Sequence, residues 1–112
     1  MRAIGFIRGR RDDVISSSGY RIGPTEVEDS LLSHPAVAEA AVVGKSDPGR
    51  GEIVKAFVVL QSGFPATDKL AQELQEWVRQ RYSKHAYPRD VVFINELPKT
   101  ESGKIKRREL RE

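Results

Sequence analysis

Four short segments combine glycine with arginine or lysine, a combination suited to binding phosphate. A glycine lets the backbone approach a ligand closely, and a cation within two residues of it can meet the phosphate charge. The four segments are residues 9–13 (GRRDD), 18–23 (SGYRIG), 47–52 (DPGRGE) and 98–104 (PKTESGK). One such segment alone is more often an ordinary turn, whereas four in 112 residues make anion binding about as plausible as turn formation.

The last segment ends in Ser102-Gly103-Lys104 and is not a nucleotide-binding P-loop. That motif, G-x-x-x-x-G-K-[ST], would require glycine at Pro98 and Ser or Thr at Ile105. We instead expect a flexible hairpin tip that presents the Lys104 ammonium group to something outside the domain. The competing interpretation is a loop lysine that is simply solvated.

The residue types needed for self-contained catalysis are missing. The chain has no cysteine and only two histidines, at distant positions, so we expect neither thiolate chemistry nor a metal site. It also lacks a Ser/His/Asp set, a spaced carboxylate pair and an HExxH motif. Any chemistry must therefore use cations and backbone groups.

Hydrophobic periodicity predicts an α+β domain that would position these segments. The predicted elements are short strands joined by turns over 5–22, a helix at 25–34, strands at 37–43 and 55–60, a helix after residue 65, a strand at 91–94 and a short helix at 106–111. We expect a small three-stranded sheet with two main helices packed against it and a short N-terminal hairpin. The pattern leaves the strand order open.

Two details of the helices follow from residue types. Thr25 followed by Glu28 fits a capping box at the start of the first helix. Trp77 belongs to the apolar stripe of the second helix, so we expect it in the core.

The positive charge of the chain is concentrated at its end. The last fourteen residues hold six Lys or Arg and three Glu, which accounts for the whole net charge of +3. Such a run either meets an anion or is a solvated tail. A small nucleic-acid-binding domain ranks lowest, because aromatic residues do not alternate with the basic ones as base stacking would require.

The length of 112 residues predicts one domain with one modest core. No apolar stretch approaches the roughly 20 residues of a membrane span, and the opening residues lack the apolar run of a secretory signal. We therefore expect a cytoplasmic domain that does not associate with a membrane.

Three sequence blocks together resemble a known family. They are GRRDDVI at 9–15, SGYRIGPTEVE at 18–28 and LPKTESGKIKR at 97–107. In this order and spacing they resemble the C-terminal domain of the adenylate-forming acyl-CoA synthetases, whose superfamily includes luciferases and peptide-synthetase adenylation domains. Asp12, at the position of the family's hinge, and the PKTESGK block look more like acyl-CoA synthetases than like peptide-synthetase domains.

The resemblance implies one part of a two-step ligase that converts an acid, ATP and CoA into acyl-CoA, AMP and pyrophosphate. A large N-terminal domain, absent from this chain, would bind ATP, the acid and Mg²⁺. The small domain would insert its lysine loop while the acyl-adenylate forms, and would then rotate to help CoA attack it. We expect the large domain, CoA and the acyl-adenylate as partners, and an inactive isolated chain.

The resemblance also assigns roles in adenylation and in rotation. Lys104 matches the adenylation lysine, whose charge meets the carboxylate and the α-phosphate of ATP. Arg10 matches the arginine that contacts the nucleotide. Asp12 matches the hinge, where a small polar residue can absorb a large backbone rotation.

Further positions resemble contacts to coenzyme A. Ser18, Gly19 and Tyr20 match the strand that lines the pantetheine path. Arg50, Arg79 and Tyr87 resemble single contacts in acetyl- and medium-chain acyl-CoA synthetases, the arginines for phosphate and the tyrosine for packing. These six residues form the expected CoA-binding set.

The proposed roles of individual residues and of the whole domain each have an alternative. Arg10 could form only a surface ion pair, Arg79 could belong only to the polar face of its helix, and Tyr87 could cap the core beside Pro88. For the whole domain, the alternative function is a stand-alone module, derived from such a lid, that binds CoA or a protein partner.

Overall fold

The computed structural model describes residues 14–110, which form a five-stranded sheet with two long helices and one short helix. The elements in chain order are β1 (Ile15–Ser17), β2 (Tyr20–Ile22), α1 (Pro24–Leu32), β3 (Val37–Asp47), β4 (Gly51–Leu60), α2 (Asp68–Arg81), β5 (Asp90–Phe93) and α3 (Arg107–Leu110). The predicted α+β class is confirmed. The sheet has five strands rather than three, because the N-terminal hairpin joins the three predicted strands.

Strand β4 is the centre of the sheet. It pairs with β3 along one edge, and with β1 and then β5 along the other, while β2 pairs only with β1. The β4–β5 pair is parallel and the others are antiparallel. Parallel pairing follows from α2, which lies between the two strands in the chain and provides the crossover that parallel neighbours need.

Strands β3 and β4 form a hairpin longer than the sequence predicts. Its register runs from Val37 opposite Leu60 to Asp47 opposite Gly51, beyond the strands predicted at 37–43 and 55–60. The turn itself is short because Oδ2 of Asp47 accepts hydrogen bonds from the backbone N–H groups of Gly49 and Arg50, at 3.1 and 3.0 Å. The polar residues before and after it therefore continue the ladder.

Helix α1 begins one residue earlier than predicted and does not use the predicted capping box. Its N-cap is Gly23, which provides no side-chain cap, and Pro24 occupies the first helical turn, where its missing N–H has no cost. This start places Thr25 inside the helix. Glu28 is then too far along the helix to cap it and is buried instead.

The core lies between the sheet and the two long helices. Helix α1 contributes Val27 and Leu31, and α2 contributes Leu74 and Val78, all with no exposed surface. The strands contribute most of the remaining fully buried aliphatic side chains, among them Ile15, Val42, Val54 and Val58. No helix within residues 14–110 has the length and apolarity to cross a bilayer.

Trp77 lies at the α1–α2 interface and is only half-buried, so its predicted place in the core was wrong. Its Nε1–H donates to the Ser30 carbonyl at 3.2 Å and to the Ser33 hydroxyl at 2.9 Å. The Arg81 guanidinium lies over the ring, 3.3 Å from its centroid. An indole N–H needs an acceptor when buried, and the exposed end of α1 provides two.

His34 joins the same two helices from the buried side. Its Nδ1 accepts the backbone N–H of Ala36 at 3.0 Å, and its Nε2 lies 2.6 Å from Oε2 of Glu73. Because Nδ1 is an acceptor, Nε2 carries the proton that is donated to Glu73. The end of α1 is thereby fixed against α2.

The core position of Leu74 gives a test of this packing. We expect Leu74→Ala to lower the free energy of unfolding of the 112-residue chain by about 2–5 kcal/mol, because it leaves a cavity under α2. The exposed neighbour Gln72 provides the control, and Gln72→Ala should change the stability by less than about 0.5 kcal/mol. Urea unfolding followed by circular dichroism measures both, and equal effects would contradict the described face of α2.

Candidate functional site: a lysine hairpin and a glycine turn

The segment after β5 folds into a closed hairpin, which we call the lysine hairpin (residues 98–106). The N–H of Lys106 donates to the Pro98 carbonyl at 2.8 Å, and the N–H of Thr100 donates to the Lys104 carbonyl at 2.8 Å. Leu97, immediately before the hairpin, is buried in the domain. The predicted hairpin tip is therefore present, and backbone hydrogen bonds define its shape.

Thr100 and Gly103 shape the backbone at the tip of the hairpin, whereas the Lys104 side chain is left exposed. The Thr100 hydroxyl accepts the N–H of Lys104 at 3.1 Å and lies 3.0 Å from the Ser102 hydroxyl. Gly103 has a φ of +88°, a conformation that other residues rarely adopt. The Lys104 side chain is exposed, and no residue within 14–110 forms a hydrogen bond or ion pair with its ammonium group.

Two ion pairs attach the lysine hairpin to the rest of the domain. On the incoming side, Lys99 pairs with Glu39 of β3, but both side chains are more than one-third exposed, so the pair is worth about 0–1 kcal/mol. On the outgoing side, Arg107 pairs with Glu28 of α1, where the side chains are only 17% and 8% exposed. The buried pair is the stronger geometric restraint.

The buried pair has a two-pronged geometry. Nε of Arg107 donates to Oε2 of Glu28 at 3.0 Å, and Nη2 donates to Oε1 at 2.6 Å. The same Oε2 accepts the backbone N–H of Val42 in β3 at 2.8 Å. Burial raises the pKa of the Glu28 carboxyl above its ordinary value, although the bonds from Arg107 and Val42 lower it.

The second part of the site is a two-residue turn between β1 and β2, which we call the glycine turn (Ser18 and Gly19). Its φ angles are +52° and +85°, the combination that tight hairpins require at both turn positions. Serine is unusual in this conformation, and two bonds to Arg50 hold it there. The Ser18 N–H donates to the Arg50 carbonyl at 2.9 Å, and Nη1 of Arg50 donates to the Ser18 hydroxyl at 3.0 Å.

A carboxylate fixes the glycine turn to the sheet. Strands β1 and β4 share only the pair Ser17–Gly51, and Oε1 of Glu52 adds a bond from the Ser16 N–H at 2.9 Å. Gly44 leaves room for this carboxylate, since a Cβ there would lie 2.7 Å from Oε2 of Glu52. Sequence reasoning missed the role of Glu52, because its partner is a backbone N–H group.

Tyr20 extends the glycine turn with an exposed ring. The side chain is 48% exposed, and its ring stacks on that of His85, with centroids 4.1 Å apart and planes inclined by 16°. The structure thus brings together four of the six predicted CoA-binding residues: Ser18, Gly19, Tyr20 and Arg50. The sequence reasoning missed His85, which has no motif and approaches only through folding.

Arg79 and Tyr87 are not joined to this cluster by any hydrogen bond, ion pair or ring contact within the described chain. Arg79 is half-exposed on α2 and donates to Glu76 at 3.1 Å. Tyr87 packs against the core, and its hydroxyl accepts a hydrogen bond from Arg89 at 2.8 Å. These contacts agree with the purely structural roles considered for the two residues, a polar helix face for Arg79 and core packing for Tyr87. The roles of Arg79 and Tyr87 in CoA binding stay predictions.

The remaining predicted site residues, Arg10 and Asp12, lie outside the described residues. Within residues 14–110, no group of three or more His, Asp and Glu side chains is arranged to hold a metal ion.

The lysine hairpin and the glycine turn are attached at different places along the β3–β4 hairpin. The lysine hairpin contacts Glu39 directly and Val42 through Glu28, whereas the glycine turn contacts Arg50, just beyond Asp47. Along β3, Val42 is five residues from Asp47 and Glu39 is eight, which corresponds to about 16 Å and about 26 Å. The lysine hairpin and the glycine turn are therefore attached to separate parts of the β3–β4 hairpin.

A domain of this fold with these two loops has a counterpart among known families. The profile of the AMP-binding enzyme C-terminal domain matches residues 26–104, and the chain belongs to this family. The predicted resemblance is confirmed.

Among individual proteins, the chain is similar to acetyl- and acyl-coenzyme A synthetases. The chain is 55% identical to an acetyl-coenzyme A synthetase of Bacillus subtilis, over 95% of this chain and 18% of the relative. It is 59% identical to a mitochondrial acyl-coenzyme A synthetase of Homo sapiens, over 92% of this chain and 18% of the relative. The chain thus spans about a fifth of the length of the relatives it matches.

Solved structures agree with the fold described above. The acyl-CoA synthetase of Brucella canis superimposes with a TM-score of 0.89 and 64% identity, over 92% of this chain and 19% of that one. The o-succinylbenzoate-CoA synthetase of Bacillus subtilis, in complex with an acyl-adenylate, gives a TM-score of 0.81 and 40% identity, over 91% and 20%.

The buried ion pair gives a testable pH effect. We expect Arg107→Met to raise the pKa of Glu28 further, because the hydrogen bonds and the positive charge of Arg107 lower it in the native chain. An NMR titration of the Glu28 carboxyl carbon measures this directly. Lys106→Met, which removes an exposed partner of Glu109, is the control and should leave the pKa of Glu28 unchanged.

The raised pKa of Glu28 in the native chain also predicts how the stability of the domain depends on pH. Between the ordinary and the raised pKa of Glu28, the folded chain holds one more proton than the unfolded chain, so stability falls as pH rises through this range. In Arg107→Met the fall should extend to higher pH. An unchanged or lower pKa of Glu28 in this variant would contradict the described contact.

Proposed function

We propose that this chain is the mobile C-terminal domain of an ATP-dependent acyl-CoA synthetase, which forms acyl-CoA, AMP and pyrophosphate from an acid, ATP and CoA. The observation that carries the proposal is the separate attachment of the lysine hairpin and the glycine turn along the β3–β4 hairpin. One centre can use both in turn if the domain rotates between two half-reactions. The synthetase relatives support this function over a stand-alone binding module or a nucleic-acid-binding domain.

In the first half-reaction, a carboxylate oxygen of the acid attacks the α-phosphorus of ATP, and pyrophosphate leaves. Negative charge shifts among the attacking carboxylate and the phosphate oxygens, and the Lys104 ammonium group stabilises it by proximity. The closed hairpin prepares the lysine for this role, because Thr100 and Gly103 fix the backbone from which its side chain extends. Arg10 is proposed to contact the nucleotide.

In the second half-reaction, the CoA thiol loses its proton to solvent and its sulfur attacks the acyl carbonyl of the adenylate, and AMP leaves with the electron pair of the broken C–O bond. The glycine turn and Tyr20 are proposed to line the path of the pantetheine arm. Arg50, which is exposed beside Ser18, is proposed to bind a CoA phosphate. Arg79 and Tyr87 are the further proposed CoA contacts.

The parts of the reaction outside this chain complete the proposal. A large N-terminal domain would bind ATP and select the acid, and Asp12 would be the hinge between the domains. Mg²⁺ bound with ATP would reside in the large domain. We place the enzyme in the cytoplasm.

Substitution of the lysine tests the first half-reaction. In the complete synthetase, Lys104→Ala should slow acyl-adenylate formation by about 10²–10³-fold, because a positioned charge is lost from the transition state. Pyrophosphate exchange measures this step. Thioester formation from supplied acyl-adenylate should keep its rate.

Lys106→Ala is the matched control for this experiment. It removes a neighbouring ammonium group that pairs with Glu109 on the surface, and both half-reactions should persist. Equal loss of both half-reactions in Lys104→Ala would count against the proposed role of the lysine.

Substitution of the turn glycine tests the second half-reaction. Gly19→Leu should slow thioester formation by about 100-fold, because the new side chain displaces the pantetheine arm from its reacting position. Pyrophosphate exchange should persist. The Gly19 position has open space around it in this domain, but its φ of +85° means that a leucine there also strains the backbone.

A substitution at a second glycine is the control for the effect of backbone strain. Gly63 has a φ of +93° and also faces open space, so Gly63→Leu introduces comparable strain away from the glycine turn. A similar loss of thioester formation in both variants would assign the effect to strain and would argue against a pantetheine path at Gly19.

A further inference from the structure

The buried pair of Glu28 and Arg107 holds a position between the lysine hairpin and the body of the domain. Arg107 follows the hairpin directly and begins α3, three residues after Lys104. Glu28 lies on α1 and is bonded to the backbone of β3 at Val42. One carboxylate therefore links the hairpin to both a helix and the main ladder of the sheet.

The geometry of the pair is more restrictive than that of an ordinary ion pair. Two separate guanidinium nitrogens meet two separate carboxylate oxygens, which fixes the orientation of both groups as well as their distance. Lys99 and Glu39 join the other side of the hairpin through a single exposed contact. The outgoing side thus determines where the hairpin lies.

Stability alone is a weak explanation for such a pair. Charges that are removed from water lose much of their hydration energy, and apolar residues of the same shape often stabilise a fold as well or better. A bidentate pair supplies directional positioning that apolar contacts lack. Because this pair lies next to the proposed adenylation lysine, it can position the backbone that carries Lys104.

We infer that Glu28 and Arg107 are positioning residues for Lys104, and that they act on the adenylation half-reaction alone. This inference rests on the proposed function. The glycine turn depends on other contacts, made by Arg50 and Glu52, so loss of the buried pair leaves the thioester half-reaction intact.

The decisive experiment measures the two half-reactions separately in the complete synthetase. Arg107→Met should lower kcat for pyrophosphate exchange by about 10–100-fold with little change in KM for ATP, because the lysine is displaced while the substrate sites are untouched. Thioester formation from supplied acyl-adenylate should stay within about two-fold of the native rate, the effect of a change remote from that chemistry.

Two further variants separate positioning from general loss of structure. Arg107→Lys keeps the charge but lacks the fork of donors, so its adenylation rate should fall between those of the native enzyme and Arg107→Met. It also provides the test if Arg107→Met fails to fold. Arg108→Met removes an exposed arginine from the same helix, and both half-reactions should be unchanged.

The outcomes distinguish this inference from the proposed function. Parallel loss of both half-reactions in Arg107→Lys, or full adenylation activity in Arg107→Met, would overturn the positioning role while leaving the synthetase assignment in place. A native complete enzyme that forms no acyl-adenylate and no acyl-CoA would overturn the proposed function itself.

Discussion

The β3–β4 ladder is the constraint on which the arrangement of this domain depends. Its ten residue pairs form an antiparallel hairpin, with one register shift between Val37 and Glu39, that supports the helices, the remaining strands and both candidate loops. Because such a ladder is stiff along its length, groups attached near its ends keep a fixed separation. A domain built this way can change which loop it offers by turning as a body, without any internal rearrangement.

Each loop is joined to this ladder by a glutamate that accepts a backbone N–H. Glu28 accepts from Val42 within β3, and Glu52 of β4 accepts from Ser16 of β1. In both cases an arginine completes the contact nearby, with Arg107 on Glu28 and Arg50 on Ser18. Backbone groups hold their positions better than side chains do, so these carboxylates relate each loop to the most rigid part of the fold.

The sequence predicted the elements of the fold because their periodicities are local. The two long helices, the central strands and the N-terminal hairpin were all anticipated, and so was the exposed tip carrying Lys104. The limits of β3 and β4 were missed, because polarity at 44–47 marks a partly buried strand end rather than a loop. The capping box at Thr25 was wrong because Pro24 begins the helix earlier.

The candidate site was predictable only as far as its motifs extended. Ser18, Gly19 and Tyr20 are adjacent in sequence, and Arg50 stands out as a cation between glycines, but nothing local indicates that Arg50 contacts Ser18. The partners of Glu28, Glu52 and Tyr20 lie between 14 and 79 residues away or have no motif, so only the folded chain reveals them. Trp77 was misplaced because periodicity records apolar character and ignores the indole N–H.

The exposed ammonium group of Lys104 has a consequence for how the domain engages another surface. No acidic side chain within residues 14–110 neutralises it, so docking against an anionic site requires no internal bond to be broken first. Only water must leave the charge. Docking and release at such a site therefore leave the folded interior of the domain unchanged.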